Sequence, residues 1–372
     1  MIDTGASGSF TYTILDDADN IEAYMADTNT SGAGVLDAAT SVTAKGLNEA
    51  PSAPADEPME LTVQQVKDLL DGDTSLGGTG GYKVVDIASN IEAEITTTSG
   101  VVNLGVIASA QEVAATKADG TGVSTIDLSV DEKLALDAAT TAVTNGWTIT
   151  DLASAVDAAT GTVLSSADAV TATGANLAEA VSLASKGGVT FSLASTNSYA
   201  GLTVEQLEAV MSATNPPTSY SIQDTADNIE SHIGTIDGAT EVTASDALPA
   251  DRTLELSVAD YKALVDSGVD TTNPTTLGSG QAYSIVDTAA NIEAEIGLSG
   301  GSVTLGVLAN AESVKAQSTD VTPAIQYLDL TVAEVAALNG HSTGISNGYT
   351  VTDTGSAIAN DITTNTASIV AA

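Results

Sequence analysis

The chain contains no cysteine, which excludes disulfides, thiolate nucleophiles and cysteine-ligated zinc or iron–sulfur centres. Cations are scarce: 9 Lys and Arg stand against 49 Asp and Glu, for a formal net charge of −40. So acidic a polymer repels phosphate backbones and anionic lipid, which argues against nucleic-acid binding, and it attracts divalent cations. Aromatic residues are only 3% while hydrophobic residues reach 43%. The core must therefore be built from Ala, Val, Ile and Leu in thin layers. There is no run of eighteen or more apolar residues, so membrane insertion is not expected. The opening MIDTGASGSF has neither the basic region nor the apolar stretch of a signal peptide, so an exported parent would make this chain an excised piece.

Signals of catalysis are equally sparse, and no catalytic residue is assigned. His232 and His341 are the only histidines, one in a helical segment and one in a Gly-bounded loop. GASGS at Gly5 misses the spacing of a nucleophile elbow. GGTGGY at Gly77 lacks the Lys and hydroxyl residue of a phosphate-binding loop. The chain reads as a non-enzyme.

What is present is repetition. A fourteen-residue block recurs as YTILDDADNIEAYM, YKVVDIASNIEAEI, WTITDLASAVDAAT, YSIQDTADNIESHI, YSIVDTAANIEAEI and YTVTDTGSAIANDI. The copies begin at Tyr12, Tyr82, Trp147, Tyr220, Tyr283 and Tyr349, at offsets of 70, 65, 73, 63 and 66 residues. A second block, such as VIASAQEVAATKAD from Val106, and a third, such as IDLSVDEKLALD from Ile126, follow in each full unit. The units are 12–81, 82–146, 147–219, 220–282 and 283–348, with a partial sixth at 349–372.

Each block has a physical reading. In the first, Tyr283, Ile285 and Asp287 alternate with Ser284 and Val286 at the strand period, and Ala289, Ile292 and Ile296 continue at helical spacing. Asp287 is expected as the N-cap between them. The third block runs from a short alternating strand into a capping-box pattern. The pairs are Thr62 with Gln65, Ser129 with Glu132, Thr203 with Gln206, Ser257 with Asp260 and Thr331 with Glu334. The middle block reads as a turn leading into a strand.

Helices this short are marginal alone, because nucleation costs more than so few hydrogen bonds return. They need neighbours, and stacking the units supplies them. The expected fold is therefore α/β: an elongated repeat solenoid with a parallel β-sheet and short N-capped helices along the axis. The prolines all fall between blocks and no long linker intervenes, so 1–372 is expected to be a single repeat array.

The acidic positions admit two readings. Asp16, Asp19 and Glu22 fall at i, i+3 and i+6, and Asp224, Asp227 and Glu230 repeat the spacing. They are candidate Ca²⁺ ligands, or else a helix cap and a solvated face. Asn20, Asn90, Asn228 and Asn291 recur at one helical position, to bond a neighbouring coil or to help hold a metal. The recurring aromatic is expected in the core, the alternative being an exposed ladder for stacking sugars.

The D-T-A-x-N-I motif of the first block resembles tandem tracts of giant secreted bacterial surface proteins, the acidic, cysteine-free adhesins and S-layer-like proteins. Six first blocks carry that resemblance over nearly the whole chain. It implies an extracellular or cell-surface location and a role as rigid spacer or self-assembling lattice or filament element, with copies of itself as partner. A second reading is an adhesin or virus-fibre-like module binding surface polysaccharide through the loops 48–58 and 270–280. The nonapeptide calcium repeats that often adjoin such tracts are missing here.

Overall fold

The computed structural model describes residues 12–26, 36, 38–44, 58–71, 74–76, 81–236, 238–245, 253–265, 276–277, 282–299, 302–318, 322 and 324–364. The chain divides into two compact units, Met1–Ala194 and Ser195–Ala372. Among the described residues each is mixed α/β, with three small parallel sheets bearing short helices and one antiparallel hairpin.

In the first unit the sheets are, in spatial order, Thr13–Asp16, Ser41–Ala44 and Ser75–Leu76; then Ala142–Val143, Glu112–Thr116, Tyr82–Ile87 and Met59–Leu61; then Val189–Leu193, Ala169–Ala175, Trp147–Leu152 and Ile126–Leu128. The second unit repeats the plan. Its sheets are Ile222–Asp224, Glu241–Ala244 and Thr276–Leu277; then Leu254–Leu256, Tyr283–Asp287, Ser313–Ala316 and Gly344–Ile345; then Leu328–Leu330 with Tyr349–Val351. Leu202 adds an isolated parallel bridge to Ile222.

The sheets do not coincide with the sequence units. Met59–Leu61 closes the first sequence unit, yet it pairs with Tyr82–Val84 of the second. After the helix Val63–Asp71 the chain returns, and Ser75–Leu76 pairs with Ser41–Val42 in the preceding sheet. Ile126–Leu128 and Ala142–Val143 behave in the same way one repeat later. The third-block helices Val63–Asp71, Val130–Ala138, Val258–Val265 and Val332–Gly340 therefore each bridge two successive sheets.

Local structure follows the blocks. The strands Tyr82–Ile87 and Tyr283–Asp287 alternate buried and half-buried positions, and the helices behind them bury Ile91 and Ile292 completely. Tyr82, Trp147, Tyr220, Tyr283 and Tyr349 all lie in the core. The Tyr283 hydroxyl donates to the Val307 carbonyl at 2.8 Å, and Tyr82 makes the same bond to Val106. Burial pushes the Tyr82 hydroxyl up to about 12.

The middle block supplies a single 3₁₀ turn, Gly105–Ser109 or Gly306–Asn310, before its strand. In the third block, Met59, Leu61, Val66 and Leu69 are fully buried, each contributing on the order of 1.5–3 kcal/mol. All five predicted capping boxes form, from Thr62 with Gln65 to Thr331 with Glu334, including the shorter Ser257 with Asp260.

The Asp caps differ from expectation. Strand pairing runs through Asp287, which lies opposite Ala316, so the extended residue at the helix start is the next one, Thr288. Thr288 accepts the Asn291 N–H, and Thr225 caps its helix likewise. The aspartate before them is released for another task.

Candidate functional site

That task is a clasp between blocks that are distant in sequence. Asp86 Oδ1 accepts the Ile87 amide at 2.7 Å and the Asn90 side chain at 2.9 Å, while Oδ2 accepts the Val63 amide at 3.0 Å. Val63 is the first residue of a third-block helix, where backbone donors lack intrahelical partners and the helix dipole is positive. Asp287 repeats the arrangement with Thr288, Asn291 and Val258 at 2.7, 2.8 and 3.0 Å. Asp224 does so with Thr225, Asn228 and Val204 at 2.7, 3.0 and 2.8 Å. Asp151 and Asp353 reach Val130 and Val332 in the same way. Burial raises the Asp224 carboxyl, but its three hydrogen bonds outweigh that cost and hold it below the ordinary carboxylate value.

A second clasp grips the strand of the same block. Glu22, Glu92, Glu230 and Glu293 each accept the amide of a middle strand residue, from Glu60, Asp127, Glu255 and Asp329 at 2.6, 2.9, 2.8 and 2.7 Å. Lys67 pairs with Glu94, and Lys262 pairs with Glu295 at the equivalent place in the second unit.

The six candidate calcium ligands are thus placed as follows. Asp16 accepts the Asp17 amide and the Asn20 side chain, both at 2.8 Å, and these bonds hold its carboxyl below the ordinary value. Asp224, Glu22 and Glu230 are clasp acceptors. Asp19 and Asp227 lie exposed in the first turns of their helices. Among the described residues, no group of three or more His, Cys, Asp or Glu side chains is arranged to hold a metal ion. The recurring asparagines donate to the aspartate four residues earlier in their own block rather than to another coil. Their amides pre-orient the clasp carboxylate.

His232 Nδ1 sits 2.8 Å from the Asn228 carbonyl at a helix end, and His341 Nδ1 sits 3.1 Å from that of Ala309. The proposed glycan-binding loops, save Pro58, Thr276 and Leu277, lie outside the described residues.

Two features fall outside the block pattern. Buried Thr74, Thr141 and Thr343 donate to the carbonyls of the middle-block turn, as when Thr141 Oγ1 reaches Ile107 and Ala110 at 3.3 and 3.1 Å. The recurrence of Thr two residues before Leu, Val or Ile, at 74–76, 141–143 and 343–345, is the sequence signal for it. The third sheet also carries an added capped helix, Leu177–Lys186, whose Asn176 and Glu179 form a capping box. Beside it lies a cavity of about 490 Å³ lined by Leu164, Asp168, Val170, Lys186 and Gly187. Its lysine is held by the Asp157 carbonyl at 2.6 Å.

Comparison with protein-family models, with curated proteins and with solved structures finds no match. No described helix is long and apolar enough to cross a membrane.

Proposed function

We propose that the chain is a structural repeat segment of an extracellular surface or matrix protein, a rigid spacer that also assembles with copies of itself. One observation carries the reading: the polar side chains that recur most regularly bind the backbone of another block. In an enzyme or receptor, recurrent carboxylates would converge on a pocket. Here Asp86, Asp151, Asp224, Asp287 and Asp353 each hold one third-block helix. Such clasps make each block depend on its neighbour, the energetic plan of a repeat array.

The finer proposal is that the sheets stack into an elongated α/β solenoid at a bacterial cell surface, with calcium acting on its acidic faces. Absence of cysteine and a charge of −40 suit a saline exterior. Small-angle scattering tests the shape. A compact globule of 372 residues has a radius of gyration of about 21 Å. A clearly larger value is expected with and without calcium, and a value near the compact one would reject the spacer.

A further inference from the structure

A buried threonine stands immediately before the strand that returns beside the middle-block strand: Thr74 before Ser75–Leu76, Thr141 before Ala142–Val143 and Thr343 before Gly344–Ile345. Thr74 donates to the carbonyls of Leu36 and Ala39, Thr141 to those of Ile107 and Ala110, and Thr343 to that of Leu308. The third sheet of the first unit departs from this plan. Its last strand is Val189–Leu193, led in by the added helix Leu177–Lys186. Strand register sets Val189 opposite Val170, as Val143 is set opposite Val113, so the residue at the threonine's place is Gly187.

The cavity of about 490 Å³ lies at that place. Its lining is the counterpart of the threonine's surroundings: Leu164 answers to Ile107, Ala167 to Ala110 and Val170 to Val113. A Cβ added at Gly187 or Gly188 would meet nothing within 4 Å, so no neighbouring side chain takes over the space. Backbone groups are left over as well. Among the described residues no donor reaches the Ala167 carbonyl, whose counterparts at Ala39 and Ala110 are served by threonine. Neither the Gly187 nor the Gly188 amide has an acceptor among the described residues.

These features specify a ligand. Small-molecule sites measure about 300–1,000 Å³ and pair an apolar lining with a few placed polar groups. Here Leu164 and Val170 supply the apolar surface, the Ala167 carbonyl an acceptor and the two glycine amides donors. A sugar ring is the complement: its C–H faces suit the apolar surface, and its hydroxyls donate and accept. Charge narrows the class. Lys186 is already committed to Asp157 and so is not free to pair an anion, which Asp168 and the net charge of −40 also oppose. The same ammonium opposes a cation. We propose that this cavity binds a neutral sugar, with one hydroxyl donating to the Ala167 carbonyl as threonine does in the other sheets and others accepting from the Gly187 and Gly188 amides.

The test titrates glucose, galactose, mannose and N-acetylglucosamine into the full chain labelled with nitrogen-15. Saturable shifts of the Gly187, Gly188 and Asp168 amide resonances are expected with at least one of these sugars. Glucosamine and glucuronate, one cationic and one anionic, should move the same resonances less at equal concentration. Ser185→Ala, Lys186→Thr, Gly187→Thr and Gly188→Ala together install the turn Ala139–Ala142 of the second sheet. The combined variant brings in the threonine and should abolish the shifts while its circular dichroism stays native. If it does not fold, Leu164→Phe, which narrows the cavity from its apolar side, is expected to abolish them instead. No saturable shift with any neutral sugar, shifts that map away from these residues, or binding that survives in a folded variant overturns the proposal. So does a charged analogue that binds as tightly as the neutral sugars. The titrations are indifferent to the shape of the chain, so this site stands or falls apart from the spacer reading.

Discussion

Val63 donates its amide across 3.0 Å to Oδ2 of Asp86, joining a helix start to the end of a strand 23 residues further along. Asp86 is 8% exposed and satisfies three donors at once. Replacing it with alanine strands those donors in the core, and a loss of about 2–4 kcal/mol is expected. Val63→Pro removes one donor at the helix position that best tolerates proline, so it should cost about 1 kcal/mol or less. Urea unfolding midpoints check the ranking. Equal effects from the two variants would show that the clasp is not what stabilises this junction.

Acidity should release the clasps. The Asp224 carboxyl is held below its ordinary value in the folded chain, against about 3.9 for a free aspartate. A depressed carboxyl contributes stability that is fully present above the unfolded value and lost as pH falls through the folded one. Unfolding midpoints of the native chain should therefore fall below about pH 4, with Asp224→Asn showing a shallower acid limb. An Asp224→Asn profile that parallels the native one would refute this.

Salt should have the opposite effect to dilution. With 49 acidic residues against 9 basic ones, repulsion between carboxylates weakens the folded state, and screening relieves it. The melting temperature is expected to rise from low to moderate sodium chloride. Magnesium at matched ionic strength should act as calcium does if screening is the whole effect. An increment specific to calcium and lost in Asp16→Asn or Glu22→Gln would assign those carboxylates as ligands.

Two glycines test whether equivalent positions in the two units bear equivalent constraints. Gly105 and Gly306 have φ of +51° and +47°, and an added Cβ would fall 1.9 Å and 2.6 Å from Glu94 and Glu295 oxygens. Those glutamates are the partners of Lys67 and Lys262. Alanine at either glycine combines backbone strain with a clash and should cost at least about 1 kcal/mol by urea titration. A neutral substitution at one site alone would break the equivalence.

The buried Thr141 hydroxyl serves the carbonyls of Ile107 and Ala110. Thr141→Val keeps the shape but leaves polar atoms without their donor, with an expected loss of about 1–2 kcal/mol. Thr343→Val should behave alike through Leu308. Differential scanning calorimetry on the two variants decides it, and unchanged melting would show that water replaces the hydroxyl.

Much of this architecture is local and so was written in the sequence. Capping boxes such as Ser129 with Glu132 span four residues, and the alternation of Tyr283, Ile285 and Asp287 declares its buried face without reference to any other strand. The core positions followed from the same periodicities, and the recurring aromatic lies in the core as expected at five of its six places, Tyr12 being half-buried. Partner choice did not follow. Nothing near Met59 announces that it pairs with Tyr82 while Ser75 turns back to Ser41, because parallel partners are set by packing across tens of residues. The aspartates looked like caps or calcium ligands, since a carboxylate before a helix satisfies either rule. Only the folded chain brings the Val63 amide to Asp86 and the Asp127 amide to Glu92, and these backbone donors then claim the acceptors. Hydrophobic period and capping are properties of a short segment, whereas a hydrogen bond across 23 residues exists only once both ends have been placed.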